Sequence, residues 1–164
     1  MLLLDSLRDT FRDSHEAARE LTLSLEEHVR GPARVLPLGA GSRALACAVA
    51  EQLGRPVSDG VPAALPRTVV IVAERIRRLR PVDMLIAQLL RRGVERIVIA
   101  TPLAESRTAY EIDDRADAFV CLRRTPKLGT IGRWYDHWTF ATATPPSPPP
   151  MPARRPAPAT LALV

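Results

Sequence analysis

The chain has 164 residues, a formal net charge of +5 and 46% apolar residues, mostly Ala, Leu, Val and Ile, with aromatics at only 4%. That length suits one domain with a real core and excludes two ordinary ones, and the scarcity of aromatics favours a helix-covered sheet over a sandwich of aromatic pairs. No stretch approaches the ~18 apolar residues needed to cross a bilayer, and "MLLLDSLRD" meets an acid too early for a signal peptide, so the reading is a cytoplasmic protein.

In chain order, residues 14–30 read as a helix, with Ala17, Ala18, Leu21, Leu25 and Val29 on one stripe and Gly31-Pro32 as the stop. "ARVLPL" (33–38) reads as a short strand. "GAGS" (39–42) then turns into an Ala-rich helix over 43–53, ended by Gly54. "RPVSD" (55–59) reads as a brief strand and "RTVVIVA" (67–73) as one buried on both faces. Residues 82–92 give the cleanest amphipathic pattern, through Val82, Leu85, Ile86, Leu89 and Leu90, with Gly93 at the end. "ERIVIA" (95–100) is a further buried strand, 104–115 a helix and "DAFVCL" (117–122) the last strand. This alternation predicts an α/β domain over residues 1–141, built on a parallel sheet of four or five strands flanked by helices. From residue 142 the chain turns Pro-rich, and prolines cannot donate to a ladder, so 142–164 is expected to be a disordered tail.

Arginine supplies every basic residue except Lys127, which points to a GC-rich bacterial genome. Cys47 and Cys121 lie far apart in apolar runs and read as buried free thiols. His15, His28 and His137 have no metal-ligand spacing with each other or with the cysteines, so no metal site is expected. Asp113-Asp114 reads as a surface pair at a helix end.

"RTVVIVAERIRRLRPVDMLIAQLLRRGVERIVIATPLA" (67–104) resembles the second half of a type I phosphoribosyltransferase. "FRDSHEAARELTLSL" (11–25) is similar to that family's opening helix, and "VLPLGAGSRALACAVAEQLGRPV" (35–57) to its first strand, loop and helix. "ADAFVCL" (116–122) followed by "IGRWYDHW" (131–138) resembles its closing strand and Gly-x-Trp-Tyr ending. The resemblance implies a cleft at the carboxyl ends of the strands that takes a phosphoribosyl donor. It assigns Glu74 a catalytic place, gripping ribose hydroxyls. Gly39, Ala40, Gly41, Ser42, Arg77, Arg78 and Arg80 then fall in phosphate- and pyrophosphate-binding positions, with Trp134 and Tyr135 stacking on a base. Mg²⁺ enters only in company with the donor.

The departures fall on the chemistry. Where the family has two acids, this chain has Ala73-Glu74, and where it has a Gly/Thr loop whose N–H groups wrap phosphate, this chain has Arg77-Arg78-Leu79-Arg80-Pro81. Guanidinium forks suit phosphate oxygens, but bulky side chains cannot fold as tightly as Gly, and Pro81 has no N–H. The family's pyrophosphate-binding arginine is displaced to Arg43 or lost, and its closing loop is replaced by "GVPAALP" (60–66). A centre that must exclude water is poorly served by such a change. The expectation is a phosphoribosyltransferase scaffold, impaired in catalysis, that keeps at most a pocket for a phosphorylated small molecule or nucleotide. A regulatory or protein-interaction module on the same scaffold is the alternative, with a protein partner or a homodimer as its contacts. Nucleic acid ranks last, because the arginines are dispersed along the chain.

Overall fold

A computed structural model of the chain describes residues 10–137, so the tail expected from residue 142 lies outside the described residues. Strand β1 (Phe11–Asp13) leads into α1 (Ser14–Leu25), followed by β2 (Ala33–Pro37), α2 (Arg43–Leu53), β3 (Thr68–Val72) and α3 (Leu79–Arg91). Then come β4 (Arg96–Glu105), α4 (Ser106–Asp113), β5 (Ala118–Thr125) and β6 (Tyr135–His137). Strands β2 to β5 form one sheet in that order, every neighbouring pair parallel, as the alternating pattern predicts.

The sheet is covered on both faces. All five residues of β3 are buried. Val70 and Val72 join Val35 and Val98 against Leu21, Leu25, Leu45 and Val49 of α1 and α2. Val69 and Ile71 join Ile97 and Ile99 against Val82, Ile86 and Leu89 of α3 and Ile112 of α4. Each fully buried aliphatic side chain contributes about 1.5–3 kcal/mol, so these two layers hold the fold.

The helices on opposite faces follow from how the chain leaves β2. It passes through α2 and returns at Val57, which bridges Val35 on the outer side of β2. Val35 N–H donates to Pro56 O at 2.9 Å, and Ser58 N–H donates to Val35 O at 3.0 Å. Residues 58–66 then carry the chain to β3 on the other side of β2. The winding therefore reverses between β2 and β3, and at such a reversal the loops beyond the strand ends part to leave a crevice.

Several boundaries differ from the sequence expectation. Helix α1 ends at Leu25 instead of residue 30, because His28 N–H reaches Leu25 O in an i−3 bond that tightens the chain into turns, although Val29 stays buried. Helix α3 begins at Leu79, three residues before 82, with Pro81 inside the first turn, where a missing N–H costs nothing. Strand β4 does not stop at residue 100. It runs on to Glu105, because Leu103, Ala104 and Glu105 pair with Arg123, Arg124 and Thr125 of β5. Helix α4 is correspondingly delayed to Ser106. The short strand expected at 55–59 is a single bridge at Val57. Both cysteines are free and only partly buried. A second, two-stranded sheet was not expected: β1 and β6 pair in parallel, Phe11 with Tyr135 and Asp13 with His137.

Candidate functional site

Two loops meet at the winding reversal. Beyond β2, Leu38 N–H still donates to Val72 O at 2.8 Å, and Gly39 then turns the chain at φ 78, a conformation that residues with a Cβ rarely adopt. A 3₁₀ turn over Ala40–Ser42 feeds α2. Ser42 is buried, and its hydroxyl donates to Leu38 O at 2.9 Å while accepting Glu74 N–H at 3.0 Å. One side chain thus ties the loop after β2 to the loop after β3. A Cβ on Gly41 would lie 3.6 Å from Glu74 Oε2, so the exposed backbone at Gly41 faces that carboxylate.

The loop after β3 leaves the ladder and rejoins it. Ala73 N–H donates to Ala100 O at 2.9 Å, and Ala73 is fully buried. Ile76 re-enters beside β4: its N–H donates to Leu103 O and its carbonyl accepts from Glu105 N–H, both at 2.9 Å. Between these anchors Glu74 and Arg75 are pushed outward. Burial raises the Glu74 carboxyl above its ordinary value, with Arg75 opposing the shift. A carboxyl raised in the folded state keeps its proton longer there than in the unfolded chain. Its contribution to stability is therefore present below the ordinary glutamate range and lost as pH rises through the folded value. Glu74→Gln is accordingly expected to exceed the parent in stability at neutral pH, with the advantage vanishing in acid. Urea midpoints across pH test this, and a Gln variant less stable at pH 7 would contradict it.

The loops enclose a cleft of about 580 Å³. Leu38 and Gly39 line one side, Arg75, Arg77, Arg78 and Pro81 the other, and Glu105 closes the end. Thr108 of α4 donates through its hydroxyl to Arg77 O at 3.0 Å, and the Arg77 guanidinium lies 3.6 Å from Glu105. Arg78 occupies the N-cap of α3 and supplies no side-chain acceptor to the first turn. The positive end of that helix and three guanidinium groups therefore share one cleft with one carboxylate. Arg80 is exposed on the first turn and is not among the lining residues. Arg43 is paired with Asp59 at 2.7 Å.

Neither residue of the aromatic pair Trp134-Tyr135 lines this cleft. Tyr135 is buried, its ring centroid 5.3 Å from that of Phe11, so it packs as core. Burial raises its hydroxyl pKa, and the charge of Glu74 adds to the shift, which places the two within electrostatic reach. Trp134 is half-buried, donates from Nε1 to Leu128 O at 2.7 Å, and lines a smaller cleft of about 350 Å³ with Arg123, Thr125 and Arg133. Among the described residues no group of three His, Cys, Asp or Glu stands close enough to hold a metal ion, and no helix is long and apolar enough to cross a membrane.

Sequence reasoning did not place Glu105 at the cleft. The strand expected at 95–100 in fact continues past Pro102 to Glu105, where the sequence pattern suggests a helix over 104–115. Arg75 is a lining residue visible beforehand only as one of a run of arginines.

No family model matches the chain, and no curated protein is similar to it in sequence. Among solved structures it is similar to the protein TT1426 from Thermus thermophilus, with TM-score 0.62 and 17% identity, covering 78% of this chain and 91% of that one. It is also similar to a purine phosphoribosyltransferase from Pyrococcus horikoshii, with TM-score 0.54 and 18% identity over 80% of this chain and 93% of that one. A hypoxanthine-guanine phosphoribosyltransferase from Bacillus anthracis matches at TM-score 0.55 and 16% identity, over 73% of this chain and 83% of that one. The fold is that of the phosphoribosyltransferases.

Proposed function

We propose that this chain, sharing the phosphoribosyltransferase fold, belongs to that family, binds a phosphorylated ribosyl compound or nucleotide in the cleft between β2 and β3, and is impaired in transfer. The observation that carries the binding reading is the joining of the two loops through Ser42, which sets Gly41 and Glu74 beside an arginine-lined cleft at the reversal of winding. Guanidinium groups donate to phosphate oxygens in forked pairs, so Arg75, Arg77 and Arg78 stand in for a backbone cradle. Glu74 faces the ribose diol in this reading. Magnesium enters only as counter-ion to a bound pyrophosphate. Three features support impairment: Ala73 brings no second acid, Pro81 takes an N–H from the first turn of α3, and residues 60–66 are a short connection instead of a closing loop.

Thermal shift on the full chain tests both halves. Phosphate, pyrophosphate and a nucleoside monophosphate are expected to raise Tm, less so as inert salt increases. A ligand at 100 times its Kd contributes about 2.7 kcal/mol. Arg77→Ala/Arg78→Ala is expected to remove most of the rise. No response to any of the three anions would remove the binding reading. Stabilisation by phosphoribosyl pyrophosphate with magnesium that survives the double substitution but disappears in Glu74→Ala would remove the impairment reading.

A further inference from the structure

We infer that a second anion site lies at the opposite end of the sheet, where Arg34 and Arg55 line a cleft of about 520 Å³ between the start of β2, the end of α2 and the residues before β3. It takes a small organic oxyanion: a carboxylate or phosphate head on a compact apolar body.

The geometry is that of two guanidinium groups with too few acceptors. Arg34 Nη1 donates to Ser58 Oγ at 3.2 Å, and Arg55 Nη1 donates to Gly54 O at 3.3 Å. Among the described residues the Nε–H of each is buried with no acceptor in reach, and neither arginine forms an ion pair. No carboxylate lines the cleft. Buried polar groups are nearly always partnered, and both arginines line this one cleft, so an acceptor seated there would serve each of them. An oxyanion supplies it through the forked Nε–Nη edge after a small turn of each side chain.

The carboxyl end of α2 opposes an anion here. It amounts to about −0.5 elementary charge, set against two full positive charges, so the arginines prevail. The ligand's apolar body is inferred from the walls, which are Pro32, Pro56, Leu65 and Pro66. The site is independent of the function proposed above. It lies at the amino ends of the strands and shares no lining residue with the first cleft.

The test uses the full chain carrying Arg77→Ala/Arg78→Ala, which removes two of the three arginines lining the first cleft. Phenyl phosphate and benzoate at millimolar concentration are expected to raise its Tm by a few degrees, and inorganic phosphate by less. Which of the two aromatic anions acts more strongly names the head group. Adding Arg34→Met and Arg55→Met, which keep the apolar stems, is expected to abolish the rise. Because those substitutions also alter packing, ¹⁵N spectra of the arginine Nε–H groups in the otherwise native chain give a second readout. Among the Nε–H resonances that move on titration with phenyl phosphate, two are expected to be absent from the Arg34→Met/Arg55→Met variant. A rise that persists without these arginines would place the anions elsewhere, and Nε–H resonances and Tm both indifferent to either aromatic anion would mean hydration only; either outcome overturns the site.

Discussion

Replacing Ala73 by Asp is expected to lower stability by about 3–5 kcal/mol, the range seen when a buried charge is left without its partner. The position looks like the natural place to restore a missing acid. Yet Ala73 is fully buried and packs with Ile76, Val82 and Ile86 beneath α3. Its N–H is already committed to Ala100 O at 2.9 Å, which leaves the backbone little freedom to turn the new side chain outward. Urea unfolding should show a lower midpoint with an unchanged slope, and the deficit should grow with pH as the carboxyl is forced to ionise. Response to phosphoribosyl pyrophosphate with magnesium should not improve. A well-folded Ala73→Asp chain that gained this response would show that the side chain reaches the cleft, and that one substitution separates this protein from an active donor site.

Phe11→Ala is expected to cost about 3–5 kcal/mol, as for other buried aromatics cut back to alanine. Phe11 is fully buried, packs at 5.3 Å against Tyr135 and carries the Arg123 guanidinium 4.8 Å above its ring. One side chain therefore joins β1 to β6 and to the end of β5. A double-mutant cycle with Tyr135→Leu should report about 0.5–1.5 kcal/mol of coupling between the rings beyond buried area. The anion response of the arginine cleft should survive in Phe11→Ala at temperatures where the chain stays folded, since Phe11 does not line that cleft. A cost below about 1 kcal/mol would mean that β1 and β6 contribute little to the fold.

The sheet and its helices were largely legible because burial leaves a periodic trace. The stripe Ala17, Ala18, Leu21, Leu25 and Val29 is buried throughout, the run at 68–72 is buried on both faces, and Gly54 ends α2 in a left-handed cap. Features that depend on a distant partner left no such trace. Strand β4 continues past Pro102 because β5 and Ile76 lie on either side of it, which no local pattern encodes. Strands β1 and β6 have three residues each, too few for a period. At the site, the sequence placed Glu74 and Gly39–Ser42 on two loops through the family resemblance, with Arg77 and Arg78 beside them. It could not show that the Ser42 hydroxyl links residues 32 apart, because one hydrogen bond has no signature in composition or spacing. Nor could it separate Arg80, which faces solvent, from Arg78, which lines the cleft.

The pairing of Phe11 with Tyr135 also sets an order of events on the ribosome. Strands β2, β3, β4 and β5 emerge in the order in which they lie in the sheet, so each nascent strand can dock on its predecessor during synthesis. Strand β1, though made first, has to wait for β6. Until then a large aromatic ring lacks its cover, and the emerging chain presents an apolar surface that chaperones bind and other nascent chains can trap. A released chain ending at residue 134 should hold a four-stranded sheet that resists protease while residues 10–13 are still cut.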